Sequence, residues 1–349
     1  MTIIETYVHH ITMEKIQLGN SDLKVSRLVV GCWSFGGEEG SYWGEQKQSD
    51  VNALVAEALD RGVNFFDTAI GYNNGKSETS LGKALKGRRK DAIVCDKIFI
   101  KDGDELKNYE NLIRDSLSRL DTDYIDIMMI HWPAAGEELL KANIEALLRA
   151  QQKGMIRKIA VSNFGLGAIR VARECGVNVI ANEFGYNLMT RGMEREILPF
   201  CREQNISVLA WSPLMQGVLT GKYQKISDIP FSRRRTVQFS KMGNPDSTHG
   251  EPGADAEVEA LLVGLKSLSE RTGIPCGTLA IAWLCNQPGV SCAIVGCRSV
   301  EQLHENMASI ETKLSADVLK ELTDLSQPIY EKVGHHLDIY RGSVNPRVW

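Results

Sequence analysis

The chain has 349 residues, with 40 lysines and arginines against 44 aspartates and glutamates and a net charge of −4. Acids and bases are interspersed, so the basic stripe of a nucleic-acid binder is missing, and no apolar run approaches membrane-spanning length. Eight cysteines without a CxxC pair, and an N-terminus without the basic and apolar regions of a signal peptide, suit a reduced, cytoplasmic setting.

Residues 1–14 read as an N-terminal extension, and segment 15–26 alternates around Gly19-Asn20 in the manner of a hairpin. Apolar, β-branched runs then predict strands at 27–34, 64–68, 93–98, 125–131, 158–163, 178–184, 207–212 and 291–296. Amphipathic stretches lie between them. Ser49 is the expected cap of the first, with Val51, Leu54, Val55, Ala58 and Leu59 on one face and Gly62 past its end. Leu106, Tyr109, Leu112, Ile113 and Leu117 mark the next, and others cover 138–152, 166–175, 192–204 and 299–310. Buried strands alternating with helices make this an α/β chain. Eight such units without a composition break predict one closed (β/α)8 TIM barrel over 1–349. Two segments break the rhythm. Residues 222–256, with three prolines and Arg233-Arg234-Arg235, read as a long loop. Residues 328–349 read as a tail without helical periodicity, too aromatic for a solvated terminus.

Four residues at the ends of separate apolar runs carry the chemistry. Asp67 ends Phe65-Phe66-Asp67, with Tyr72 shortly after; Lys97 ends Ile93–Lys97; His131 ends Ile125–His131. Alone, each has an ordinary reading: a cap, an exposed ring, a solvated amine, a structural histidine. Together at consecutive strand ends, where barrel enzymes keep their reactive groups, they suit proton transfer to a carbonyl oxygen. An ammonium beside a phenol lowers the phenol's pKa.

The run Gly71-Tyr72-Asn73-Asn74-Gly75-Lys76-Ser77 imitates a phosphate-binding P-loop. It has one residue too few between its glycines, and Ile70 stands where the first glycine belongs. A glycine-rich turn capped by Ser77 is the simpler expectation.

Phe66-Asp67-Thr68-Ala69-Ile70-Gly71-Tyr72, Ser77-Glu78 and Leu81-Gly82 resemble the aldo-keto reductase signature, in particular that of bacterial sugar and aldehyde reductases. The likeness continues through Lys97, Ile130-His131-Trp132-Pro133, Val161-Ser162-Asn163-Phe164, Tyr186-Asn187-Leu188, Trp211-Ser212-Pro213-Leu214, Gly217–Lys222 and Val295–Ser299. It implies NADP(H)-dependent interconversion of an aldehyde or ketone with its alcohol, with NADH as the alternative cofactor. In this reading Tyr72 is the proton donor, Lys97 stabilises its phenolate, Asp67 holds Lys97, and His131 orients the carbonyl. Hydride comes from the nicotinamide, since the chain offers no hydride donor. By the same resemblance Ser162, Asn163 and Glu183 face the carboxamide and Trp211 stacks on the nicotinamide ring. Ser212, Leu214, Gln216, Gly217 and Lys222 line the pyrophosphate. Gly296, Arg298, Ser299, Gln302, Glu305 and Asn306 hold the adenosine end, where the Arg298 fork suits a 2′-phosphate.

One departure stands out. Relatives carry glutamine three residues before Tyr186, where this chain has Glu183, and often a carboxylate where it has Gly185. An ionised carboxylate only accepts hydrogen bonds, and its charge would favour the oxidised cofactor. Trp33, Tyr42 and Trp132, with the tail residues His335, His336, Tyr340 and Arg341, are expected around the substrate. Such a mixture suits a sugar-derived or small polar carbonyl. Two other functions share the resemblance: a regulatory subunit of a membrane channel that binds cofactor and turns over slowly, and a broad aldehyde-detoxifying reductase. No nucleic acid, membrane or metal is expected as a partner.

Overall fold

The computed structural model describes residues 12–349. Two short strands, β1 (Lys15–Gln17) and β2 (Lys24–Ser26), pair antiparallel as the expected hairpin. Its turn requires glycine at 19. The backbone there has φ +52°, and a Cβ would meet the Ile180 carbonyl oxygen at 2.2 Å.

Eight further strands follow: β3 (Leu28–Gly31), β4 (Phe65–Asp67), β5 (Ile93–Ile98), β6 (Ile125–Ile130), β7 (Ile156–Ser162), β8 (Ala181–Gly185), β9 (Ser207–Trp211) and β10 (Val290–Gly296). They close into a parallel barrel in the order β10-β3-β4-β5-β6-β7-β8-β9. Every predicted strand is present, and the barrel is the expected (β/α)8 fold. Side chains alternate across a strand, and this sorts the residues. Val29, Phe65, Cys95, Ile127, Met129, Ala160, Ala181 and Leu209 fill the interior with Leu18 and Val25 of the hairpin. Two residues on from an inward residue, Asp67, Lys97, His131, Glu183 and Trp211 therefore point to the same axis at the C-terminal mouth. Their neighbours face the helices.

The helices differ in detail from expectation. The first runs Gln48–Asp60 and buries Val51, Leu54, Val55 and Ala58, as read. Ser49 is not its cap: Lys47 precedes the helix, and the Ser49 hydroxyl bonds the Asp50 carboxylate at 3.2 Å. The stretch 192–204 divides into a 3-10 turn, Gly192–Glu194, and a helix, Ile197–Glu203. Helices Asp255–Thr272, Cys276–Cys285 and Ala316–Val333 lie outside the stretches read from periodicity. Cys276–Cys285 is apolar nearly all round and buried, so it has no polar face to generate a period. Asp255–Thr272 and Ala316–Val333 pack together outside the barrel, linked by Lys332 to Glu257 at 3.0 Å and by Arg271 to Glu321. The tail 328–349 thus begins inside a helix that carries Pro328. Of residues 1–14, the first eleven lie outside the described residues, while Met13 is buried and donates its N–H to the Arg61 carbonyl.

By alternation Asp96 points away from the barrel axis, toward helix Lys76–Ala84. There Glu78 is fully buried and ion-paired with Arg119 at 2.6 Å. Asp96 is also fully buried; its Oδ1 accepts from the Lys97 N–H at 2.9 Å and its Oδ2 has no partner. Burial, and then the Glu78 charge, push the Asp96 carboxyl well above the usual range. An acid whose folded pKa is raised supports the fold fully below its unfolded value, and that support is lost as pH rises toward the folded value. Asp96→Asn, which keeps the acceptor and removes the charge, should therefore raise Tm by a few degrees at pH 8 and much less at pH 4. Thermal unfolding followed by circular dichroism measures this; an equal or negative shift at pH 8 would contradict the assignment.

Candidate active site

Lys97 is the centre of the mouth. Its side chain is fully buried, and its Nζ donates to Asp67 Oδ1 at 2.5 Å, the Thr68 carbonyl at 3.0 Å and the Tyr72 hydroxyl at 3.4 Å. Asp67 and Glu183 are 4% and 3% exposed, and Glu183 Oε2 stands 3.5 Å from the ammonium. Burial alone would lower the Lys97 pKa, but Asp67 and then Glu183 outweigh it, so the ammonium stays charged.

Tyr72 reaches this site from a tight turn. Asn73 and Asn74 take left-handed backbone angles, φ 47° and 53°, and Gly75 follows with φ +82°. Asn73 Nδ2 clips the turn to the Trp33 and Phe35 carbonyls at 3.0 and 2.8 Å. Ser77 does not cap the following helix, which starts at Lys76. Its hydroxyl donates instead to the Cys32 carbonyl at 2.7 Å and lies 2.8 Å from Thr68 Oγ1. Burial raises the Tyr72 phenol well above its ordinary value. Lys97 acts in the opposite direction, and Asp67 and Glu183 add to the rise. The pull of Lys97 read from the sequence is present but is outweighed, and the phenol holds its proton at neutral pH.

His131 follows β6, its N–H bonded to the Ile98 carbonyl and its ring 5.8 Å from that of Tyr72 at a steep angle. Burial, then the Lys97 and Arg347 charges, push the imidazole down to about 3. It is neutral across the physiological range and can donate or accept one hydrogen bond without bringing charge.

Residues of the expected nicotinamide end adjoin this group. Ser162 and Glu183 are register partners on β7 and β8. Asn163, with φ 61°, donates from Nδ2 to the His131 carbonyl and to Ser162 Oγ, both at 3.0 Å, and accepts from Trp211 Nε1 at 3.2 Å. Trp211 stacks on Tyr340 of the tail, rings 6.2 Å apart and 8° from parallel. The ring also explains Gly185: a Cβ there would meet Trp211 Cζ2 at 2.8 Å, so the indole fills the space that a side chain would take.

Ser212, Leu214, Gln216 and Gly217 form the turn after β9, with Ser212, Gln216 and Gly217 in left-handed conformations. Gln216 Nε2 donates to the Tyr340 hydroxyl at 3.2 Å, and Gln216 Oε1 accepts from Tyr42. Lys222 is exposed, beyond this turn, with its Nζ over the Tyr223 ring. Gly296, Arg298, Gln302 and Glu305 are exposed where β10 leads into helix Val300–Glu311. Ser299 caps that helix, and Asn306 is buried in it with an unpartnered Nδ2. Arg298 donates from Nε to Gln46 Oε1 at 2.9 Å, from Nη1 to the Trp43 carbonyl at 2.8 Å and from Nη2 to the Glu45 carbonyl. Much of its fork thus braces the loop after β3.

Trp33 and Tyr42 stack at 5.1 Å, and Trp33 stacks in turn on Tyr72 at 5.8 Å, an aromatic wall leading to the phenol. Arg233 and Arg235 of the long loop lie over Tyr42. That loop is folded, with 3-10 turns at Ile226–Asp228 and Phe231–Arg233. Trp132 carries the Arg347 guanidinium 3.4 Å from its ring, and Asp338 pairs with that arginine at 2.8 Å. The structure thus brings Tyr340 to the mouth. It places His336 against Glu251 and binds Arg341 to the Asn345 carbonyl. Arg347 and Gln46 were missed by sequence reasoning. Neither belongs to a motif, and each acts through a long-range contact.

A metal reading of Asp67, Cys95 and Glu183, whose ligand atoms lie within 4.8 Å of one another, conflicts with the Lys97 ammonium already held there. Among the described residues no helix is long and apolar enough to cross a membrane.

A model of the Aldo/keto reductase family matches residues 27–327. The chain is 31% identical over 338 residues to the NADH-specific methylglyoxal reductase of Escherichia coli, covering 89% of this chain and 99% of the relative. It is also 31% identical over 331 residues to a putative voltage-gated potassium channel subunit beta of Schizosaccharomyces pombe, covering 88% and 92%. The structure of an aldo/keto reductase from Klebsiella pneumoniae in complex with NADP and acetate superposes with a TM-score of 0.67 at 26% identity, over 91% and 96% of the two chains. With its barrel, its strand-end residues and a family match spanning all eight barrel strands, the chain belongs to the aldo/keto reductase family.

Proposed function

We propose that this protein reduces a small polar or sugar-derived aldehyde or ketone with a nicotinamide cofactor, NADP(H) or NADH, and can run the reverse oxidation. The observation that carries this reading is the Tyr72 hydroxyl 3.4 Å from a buried Lys97 ammonium, with a neutral His131 ring beside it. The similar proteins with NADP and NADH in their names support the cofactor class.

The donor set fits such a group. Trp211, the Ser162–Asn163 strand end and the left-handed turn 212–217 would hold it, and it would supply hydride. The chain's own residues manage the proton. A carbonyl oxygen between Tyr72 and His131 receives a hydrogen bond from each. As hydride arrives, the oxygen becomes an alkoxide, a stronger base than a phenolate, and takes the Tyr72 proton. Lys97 stabilises the phenolate left behind, and Asp67 fixes Lys97. The wall of Trp33 and Tyr42 offers apolar faces, while Tyr340, Gln216 and Arg347 add polar groups. That combination suits a short hydroxylated carbonyl. The potassium-channel relative supports a second reading, a subunit that binds cofactor with little turnover.

Cofactor oxidation across aldoses, ketosugars and simple aldehydes tests the proposal. Turnover should concentrate on one polar class, and Tyr72→Phe should lower kcat by about 10²–10⁴-fold with cofactor affinity unchanged. Tight cofactor binding without turnover in either direction would favour the subunit reading. Arg298→Ala separates two roles for that arginine. A 2′-phosphate partner should weaken NADPH by about tenfold or more and leave NADH nearly unchanged. Equal weakening of both would make Arg298 a brace for residues 43–46.

A further inference from the structure

Two carboxyls and one ammonium share the dry mouth of the barrel, and their charges do not cancel if all are ionised. The ammonium has three N–H donors, and all three are committed to Asp67, the Thr68 carbonyl and Tyr72. None remains for Glu183, whose Oε2 is buried, lies 3.5 Å from Nζ and has no hydrogen-bond partner. Ionised, Glu183 would leave Oε2 a buried acceptor without a donor, beside a second carboxylate, a costly state. Its carboxyl lies within 4.8 Å of that of Asp67. One proton between the two would give Glu183 a donor to offer and Asp67 a second bond to accept.

We propose that Glu183 is a neutral carboxylic acid in the resting protein, donating to Asp67, and that loss of this proton switches the site from favouring reduced to favouring oxidised nicotinamide. The switch rests on the cofactor reading above; the proton does not. A neutral acid whose one O–H is given to Asp67 still offers a carbonyl oxygen to a carboxamide amine and brings no charge, as the glutamine that relatives carry brings none. Glutamine cannot ionise, whereas Glu183 can. From sequence alone this side chain is expected to be charged; the committed donors of Lys97 argue for the neutral acid. Burial and the Asp67 charge act in the same direction, raising the Glu183 carboxyl well above the usual range.

The titratable groups facing Glu183 are few. Asp67 comes from β4, Tyr72 from the turn after it, and Lys97 and Cys95 from β5. Burial keeps the Cys95 thiol protonated, Tyr72 holds its proton, and Lys97 holds its charge. From β7 and β9 come the uncharged Ser162, Asn163 and Trp211. Of these group types a carboxylic acid is ordinarily by far the most acidic.

Two measurements test this with the full chain. Infrared difference spectra of ligand-free wild type minus Glu183→Gln should show a protonated-carboxyl band at pH 7 that vanishes at alkaline pH. Carboxylate bands alone at pH 7 would overturn the assignment. Fluorescence titrations with NADP+ and NADPH between pH 7 and 9.5 read the switch. For wild type the ratio of the NADP+ to the NADPH Kd should fall by about tenfold or more as pH rises, as expected for one added charge nearby. For Glu183→Gln it should stay flat. Parallel pH dependences, or a flat wild-type ratio, would overturn the switch, and the wild-type titration decides even if the variant misfolds. Failure of both proteins to bind either cofactor would instead overturn the nicotinamide reading, with the infrared band still deciding the proton.

Discussion

The fold of this protein has to keep one ammonium charged in a place without water. Lys97 is fully buried, and removing a charge from water costs several kcal/mol unless partners compensate. The compensation comes from one strand end and the turn after it: the Asp67 carboxylate from β4, the Thr68 carbonyl just beyond it and the Tyr72 hydroxyl. A barrel supplies such an arrangement because inward residues of neighbouring strands converge on one axis. The same convergence that satisfies the lysine places a phenol and an imidazole where a carbonyl oxygen could sit. Stability and chemistry are therefore tied to the same hydrogen bonds.

The surroundings of the mouth come from farther away in sequence. Residues 334–349 run across it after the last helix. Ile339 accepts from the Val237 N–H, Tyr340 stacks on Trp211, Arg347 covers Trp132, and the Trp349 carbonyl accepts from the Ala168 N–H. Arg298 and Gln46 tie the turn after β10 to the loop after β3. The aromatic wall and the polar rim thus belong to segments that the barrel holds in place without being made of them.

This division explains what could be read in the sequence. The eight strands were legible because buried parallel strands leave uninterrupted apolar, β-branched runs. Asp67, Lys97 and His131 were legible because each ends such a run. Helix Cys276–Cys285 was not, since burial on all sides erases the helical period. Asp255–Thr272 does carry a periodic apolar face, Val258, Leu261, Leu262, Leu265 and Leu268, but it follows directly on the proline- and glycine-rich loop and lacks a side-chain cap to mark its start. The Arg347–Trp132 stack, the Arg298–Gln46 brace and the collision that keeps residue 185 a glycine are contacts over long sequence separations, and no local pattern encodes them. The protonation of Glu183 belongs with these, because it depends on counting the donors of a lysine 86 positions earlier in the chain.

The most direct measurement is single-turnover hydride transfer by Lys97→Met, with folding checked by circular dichroism and cofactor binding by fluorescence. If the buried ammonium is what lets Tyr72 surrender its proton, the variant should bind cofactor and transfer hydride at least about a hundredfold more slowly than wild type. A folded, cofactor-bound Lys97→Met that transfers hydride within a few-fold of wild type would contradict the account.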